Sequence, residues 1–133
     1  MNLKLHRTTI CENTISSGVF LSNIVHLFQT NDEVYMYSFL LLFISSILYH
    51  ETYNTTFKKF DELCVYNIIY QGGYRTFIVN EYNILTIYSI LCFLLVLYTY
   101  YYKLDTINDI RNHSILHIVT SVGHHIIIFN GSL

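Results

Sequence analysis

The stretch ILTIYSILCFLLVLYTYYY, residues 84–102, runs for nineteen residues without a charged side chain. At a helical rise of about 1.5 Å per residue, roughly 20 residues cross a hydrocarbon core about 30 Å thick. The stretch therefore predicts a membrane-spanning helix. Its Tyr-rich end is typical of the aromatic belt that lies at a membrane interface.

Four further uncharged runs surround this stretch, at residues 13–31, 34–50, 63–74 and 112–133. The last is long enough to span a bilayer, the first two are nearly so, and the third is short and contains Gly72-Gly73. The chain is 53% hydrophobic and 12% charged, and seven Lys and Arg are too few to solvate a soluble bundle of 133 residues. We therefore expect an all-α fold over residues 1–133, a single transmembrane domain built as a polytopic bundle of about five helices.

The runs and their polar flanks predict the helix boundaries. We expect helix 1 over about 14–28, helix 2 over 34–50, helix 3 from near Asp61, helix 4 over 84–102 and helix 5 from about residue 112. Residues 51–60 are expected to form a polar loop, with Asp61 at a helix N-terminus, where a carboxylate faces unpaired backbone N–H groups. Gly72-Gly73 could bend or end helix 3.

Charge and cysteine content exclude two classes of protein. A net charge of -2 provides no basic surface for nucleic acid. Three cysteines, in or beside apolar runs, argue against a disulfide framework. Residues 1–12 lack the apolar core that a signal peptide requires, so we expect helix 1 to act as the insertion signal.

The distribution of basic residues predicts an orientation. With five spans, the N-terminal lead and the loops at 51–60 and 103–111 lie on one side. They hold six of the seven basic residues, namely Lys4, Arg7, Lys58, Lys59, Lys103 and Arg111. The positive-inside rule places that side in the cytoplasm. Sequons at Asn54 and Asn112 lie on the same side, so glycosylation of either would reverse this assignment.

Five polar residues fall near that same membrane face. His113 and His117 are four apart in the last helix and share one helix face. Ser46 and His50 repeat this spacing at the end of helix 2, and Asp61 follows at the start of helix 3. Each residue alone is unremarkable for a helix end. The presence of all five at one depth predicts a functional site, because ionisable residues in membrane spans are energetically costly.

The chemistry of this group is that of a catalytic metal centre. Three imidazoles with one open position are the ligand set of a catalytic zinc, so His50, His113 and His117 are the predicted ligands. Asp61 could hold a water and take its proton, and the Ser46 hydroxyl could donate to the oxygen of an attacked carbonyl. Seven histidines make one such pair common by chance, so the pair alone proves little.

The other histidines fit this group less well. His124 lies two turns beyond His117 on the same face and is a reserve ligand. His125 points about 100° away and is expected to pack or to meet the far interface. His6 and His26 have no partner in the pattern.

Three segments resemble the alkaline ceramidases, within the membrane hydrolases that include the adiponectin and progestin receptors. These are SSILYH (45–50), FDELCVYNIIY (60–70) and HSILHIVTSVG (113–123), with fainter similarity at Cys11-Glu12-Asn13 and Ser22-Asn23. The resemblance implies a zinc amidase that cleaves a ceramide-like lipid amide, with His50, His113 and His117 on zinc and with Ser46 and Asp61 beside the water. It also implies an endoplasmic reticulum or Golgi-type membrane and a lumenal N-terminus, opposite to the charge count.

The chain also departs from that family. Seven helices are expected there and five here, and Ser16-Ser17-Gly18 stands where an acidic residue of the family's calcium site is expected, so no calcium is assigned. Two alternatives stay open, a non-catalytic structural or regulatory membrane protein with a relic metal site, and haem ligation by facing histidines. Beyond the bilayer and a lipid substrate, a second copy of the chain is a partner that could complete the cavity.

Overall fold

The computed structural model describes residues 12–102 and 109–133, and all regular structure within them is helical. The helices are α1 (Glu12–Ser17), α2 (Val19–Thr30), α3 (Glu33–Thr52), α4 (Thr55–Tyr74), α5 (Ile84–Tyr102) and α6 (Asp109–Gly131). A π-helical turn, Arg75–Val79, follows α4 directly. The predicted all-α class is confirmed, and predicted helix 1 is divided at Gly18 into α1 and α2.

Tight polar turns join the first helices. Asn31 ends α2 in the left-handed conformation, at φ 58°, and the Asp32 side chain caps α3 by accepting from the Tyr35 N–H. Tyr53 repeats the left-handed turn after α3, at φ 51°, and the Asn54 side chain caps α4 by accepting from the Thr56 N–H. These caps satisfy backbone donors that a helix start leaves unpaired.

The helix that contains Asp61 starts earlier than predicted, because Asn54 caps it. The helix begins at Thr55, so residues 55–60 are helical and do not form a polar loop. Asp61 consequently lies in the second turn of α4, and its side chain is buried. Asp61 is therefore not a helix N-terminal residue, and its carboxylate is free to contact neighbouring helices.

Gly72-Gly73 does not end this helix. The backbone continues through Tyr74 into the π-helical turn, where the Thr76 hydroxyl donates to the Gly72 carbonyl at 2.8 Å. Gly72 is buried at the point where α4 passes His124 of α6. The glycine provides close helix packing here and not a helix stop.

The packed helices leave a large gap beside α4 and α5. The α3 helix packs against α2 and α4, and α6 packs against α1, α2 and α5. The core consists of apolar residues from α2, α3, α4 and α6, namely Phe20, Leu27, Tyr35, Phe39, Leu42, Cys64, Ile68, Ile127 and Ile128. Between α4 and α5 lies a cavity of about 780 Å³.

Two of the described helices are long and apolar enough to cross a membrane. They are Glu33–Thr52, with a mean hydropathy of 1.3, and Ile84–Tyr101, with a mean hydropathy of 1.9. The α4 helix carries Lys58, Lys59, Asp61 and Glu62, and α6 is diluted by His, Asn, Ser and Thr. Five spans are predicted from the sequence, and two of the described helices meet this criterion, which rests on length and composition.

Candidate metal centre

Three imidazoles from two helices converge at one end of the bundle. His50 lies in the last turn of α3, and His113 and His117 lie one turn apart near the start of α6. One ring nitrogen from each can be chosen such that all three lie within 4.8 Å of one another. The ring centroids are 4.6 Å apart for His50–His113, 5.2 Å for His50–His117 and 4.6 Å for His113–His117. This group could hold a metal ion.

His50 provides the clearest sign that this group suits a metal ion. The residue is 1% exposed, and its Nε2 is the one buried side-chain nitrogen or oxygen among the described residues that has no hydrogen-bond partner. Leaving such an atom unsatisfied costs about 1–3 kcal/mol. A metal ion bound by the three imidazoles would take the Nε2 lone pair and remove that cost, so the residues present fit a metal.

His117 is held by two serines of α1. The Ser16 and Ser17 hydroxyls lie 2.7 Å and 3.4 Å from His117 Nδ1. Both hydroxyls also donate to the Asn13 carbonyl, at 3.0 Å and 2.7 Å, so they can only accept from the ring. His117 Nδ1 therefore carries the proton, and Nε2 is left with its lone pair toward the other imidazoles, as metal-ligating histidines require.

Asp61 is oriented by two serines of α3. The hydroxyls of Ser45 and Ser46 each lie 2.9 Å from the same carboxylate oxygen, Oδ1. Among the described residues, Oδ2 has no protein partner, and Asp61 lines the cavity. This oxygen is available to a water in the cavity, and the serines hold the carboxylate in place.

The Ser46 contact changes the role expected for that residue. Its proton is directed at Asp61 Oδ1, so in this structure Ser46 positions the carboxylate and does not point to a substrate carbonyl. Ser45, which is fully buried, also lies 2.9 Å from this oxygen, and its hydroxyl shares its proton with the Leu42 carbonyl at 3.0 Å; it was not predicted from the sequence. The adjacency of Ser45 and Ser46 in the sequence was the signal that could have identified Ser45.

The cavity between α4 and α5 connects the polar group to apolar walls. Ser46, Asp61, His113 and His117 line one end of it. Its walls are mostly Ile, Leu, Val, Phe and Tyr side chains, among them Ile69, Phe77, Phe93, Val96, Leu97 and Tyr100. The arrangement therefore places candidate metal ligands at the end of a space suited to a hydrocarbon chain.

The remaining histidines occupy two other places. His124 contacts the Tyr35 hydroxyl and does not join the three-imidazole group. His125 and His26 stack with centroids 5.1 Å apart, and their Nδ1 atoms lie 2.9 Å apart. His26 lies outside the three-imidazole group, as expected, and pairs with His125 because α2 packs on α6. His6 lies outside the described residues.

The geometry also bears on haem ligation. His50 and His117 would have to face each other across a porphyrin, but the His113 ring lies 4.6 Å from each of them. A third ring in that position leaves no path for the macrocycle. The arrangement favours a single ion held by three nitrogens.

Comparison of the chain with protein families, with curated proteins and with solved structures finds no match. The geometry of the site therefore carries the functional argument.

Proposed function

We propose that this chain is a multi-pass integral membrane hydrolase that cleaves a ceramide-like lipid amide with the help of zinc held by His50, His113 and His117. The observation that carries the proposal is the buried three-imidazole group, with the unpaired His50 Nε2, beside a serine-held carboxylate on an apolar cavity. Zinc in a three-histidine site polarises a water molecule toward hydroxide near neutral pH.

Each protein group then has a defined task. Asp61 takes a proton from the attacking water through Oδ2, while Ser45 and Ser46 keep Oδ1 fixed. The water oxygen bonds to the amide carbon, the C–N bond breaks, and the proton taken by Asp61 passes to the departing amine. The products are a fatty acid and a free amine. Ser16 and Ser17 act through His117 by holding its tautomer.

The cavity supports a lipid substrate. Its wall residues on the π-helical turn and α5 include large exposed hydrophobic side chains, for example Phe77, Phe93 and Tyr101. A gap of this kind would let a chain enter from the side, out of a bilayer, and reach the polar end. The ceramide-like head group and the endoplasmic reticulum or Golgi-type membrane rest on the resemblance to the alkaline ceramidases.

Metal analysis tests the proposal directly. Purified full-length protein in detergent should contain about one zinc per chain, and His117→Ala should lose it, because three protein ligands are the minimum of a catalytic site. His125→Ala is the matched control, since His125 lies on the same helix outside the group and should leave the zinc content unchanged. Absence of bound zinc from the unaltered protein would contradict the proposal.

Activity separates the enzyme from its non-catalytic alternative. On a panel of lipid amides and esters, Asp61→Asn should retain zinc and lose about 10²-fold or more of the turnover, because it cannot accept a proton. Zinc retained by the unaltered protein without turnover of any member of the panel would instead favour a structural or regulatory protein with a relic site.

A further inference from the structure

The cavity has a second polar group far from the imidazole cluster. His124 follows His117 by seven residues on α6, so it lies roughly 10 Å further along the helix, toward the other end of the bundle. His124 lines the same cavity as His117 and is 8% exposed. A buried polar side chain on an apolar wall needs a hydrogen-bond partner for each polar atom.

One ring nitrogen of His124 is satisfied by Tyr35. The Tyr35 hydroxyl hydrogen-bonds to His124 Nδ1, and Tyr35 itself is fully buried. Within the described residues, this imidazole is the hydroxyl's hydrogen-bond partner, so the phenol must donate to Nδ1 to avoid a buried unpaired donor. His124 Nε2 therefore carries the ring proton.

The proton on Nε2 faces the cavity. In the part of the chain that the structure describes, Nε2 of His124 has no protein partner. Among the side-chain nitrogens and oxygens there, His50 Nε2 is the one that is both fully buried and unpaired, so His124 Nε2 is not fully buried. The exposed surface of His124 Nε2 must then belong to the cavity that the residue lines. His124 presents a hydrogen-bond donor to whatever occupies this space.

The imidazole is held in a defined position. Phe39 packs edge-on against it, with ring centroids 4.9 Å apart, and Gly72 of α4 lies so close that an added Cβ would be 2.7 Å from Cε1. The Arg75 guanidinium stacks 4.2 Å from the centroid of the Tyr35 ring and supports the hydroxyl's position. A donor fixed in this way can discriminate between ligands, since little freedom is lost on binding.

Two neighbouring hydroxyls on the cavity wall, those of Thr76 and Ser89, do not offer the same donor. Thr76 donates to the Gly72 carbonyl at 2.8 Å, and Ser89 donates to the Thr86 carbonyl at 2.8 Å. Their protons are used within their own helices. His124 therefore differs from these two hydroxyls in having a ring proton that is free for a ligand in this part of the cavity.

We propose that His124 is a specificity-determining residue, whose Nε2–H donates to an oxygen carried on the chain of the bound lipid. The inference rests on the proposed function, because that function places the head of the lipid at His50, His113 and His117. The roughly 10 Å separation corresponds to about eight bonds of an extended chain. The preferred ligand class is a lipid with a hydroxyl or keto group at that distance from the amide.

Binding of a matched pair of ligands tests this inference. The probes are a long-chain alkyl sulfonamide, which resists hydrolysis, and its analogue with one hydroxyl about eight bonds from the head group. The purified full-length protein should bind the hydroxylated probe about fivefold more tightly, the effect of one neutral hydrogen bond. His124→Leu should abolish that preference, and His125→Leu, outside the cavity, should retain it.

A second variant serves if His124→Leu does not fold. Tyr35→Phe keeps the ring beneath Arg75 but removes the hydroxyl that sets the tautomer, so the preference should fall. Equal affinity of the unaltered protein for both probes, or a preference that survives these substitutions, overturns the inference. Zinc content and turnover are measured separately, so failure of the proposed function is scored independently of the probe preference.

Discussion

Gly72 allows α4 to pass close to the imidazole of His124. A Cβ built there would lie 2.7 Å from His124 Cε1 and 3.2 Å from Nδ1, whereas a Cβ on Gly73 would meet no heavy atom within 4 Å. The two adjacent glycines therefore have different requirements. Gly72 is required by packing against α6, while Gly73 carries only the entropic cost of glycine within a helix.

Alanine substitution at each glycine should separate these effects. Gly72→Ala should lower the free energy of unfolding by about 1–3 kcal/mol, because the fixed ring must move. Gly73→Ala should be neutral or raise it by up to about 1 kcal/mol. Thermal unfolding of both variants in detergent measures the difference. Equal stability of the two variants would contradict the close contact.

Asp32 joins two helices at the end of the bundle opposite the imidazoles. It caps α3, and its two carboxylate oxygens accept from Arg75 Nε and Nη2, each at 2.7 Å. Arg75 opens the π-helical turn after α4, so one carboxylate connects the α2–α3 turn to the end of α4. The hydrogen bond from Arg75 lowers the pKa of Asp32 below its ordinary value of 3.8.

This ion pair predicts a pH dependence of stability. Because the folded-state pKa of Asp32 is depressed, its contribution is present above pH 3.8 and is lost as the pH falls through the lowered value. Asp32→Asn keeps the helix cap but not the charge, so it should be less stable than the unaltered protein at neutral pH. The difference should shrink in acid.

Thermal unfolding in detergent at several pH values measures this effect. Glu33→Gln is the matched control, since Glu33 is an exposed neighbour in the first turn of α3. A stability difference for Asp32→Asn that stays constant into strong acid would show that the charge of Asp32 does not contribute.

The whole chain makes a prediction about membrane topology. Five spans put the two chain ends on opposite sides, whereas two spans, α3 and α5 alone, put them on the same side. The distribution of basic residues predicts that the N-terminal end lies in the cytoplasm. In sealed microsomes, a tag before Met1 should be digested by added protease, and a tag after Leu133 should be protected.

Opening the vesicles with detergent is the control, since both tags should then be digested. Two tags that behave alike in sealed vesicles would contradict five spans. A protected N-terminal tag with a digested C-terminal tag would reverse the charge-based orientation and would agree with the lumenal N-terminus that the resemblance implies.

The parts of the site that depend on local spacing could be predicted from the sequence. His113 and His117, and likewise Ser46 and His50, share a helix face because four residues make about one turn. That relation holds wherever the helix is placed. By contrast, the contacts of His117 with Ser16 and Ser17 join residues about a hundred positions apart, and no periodicity within one helix reports them.

The helical class, the apolar stretch at 84–102 and the one-turn spacings of Ser46 from His50 and of His113 from His117 could be read from the sequence, because they follow from composition and helical period. The start of α4 depended on a side-chain cap at Asn54, which moved Asp61 from a helix end into a buried second turn. Only the tertiary structure separated His124 from the imidazole group and paired His26 with His125. Such outcomes depend on the relative position of packed helices, which side-chain volume and interhelical hydrogen bonds decide together.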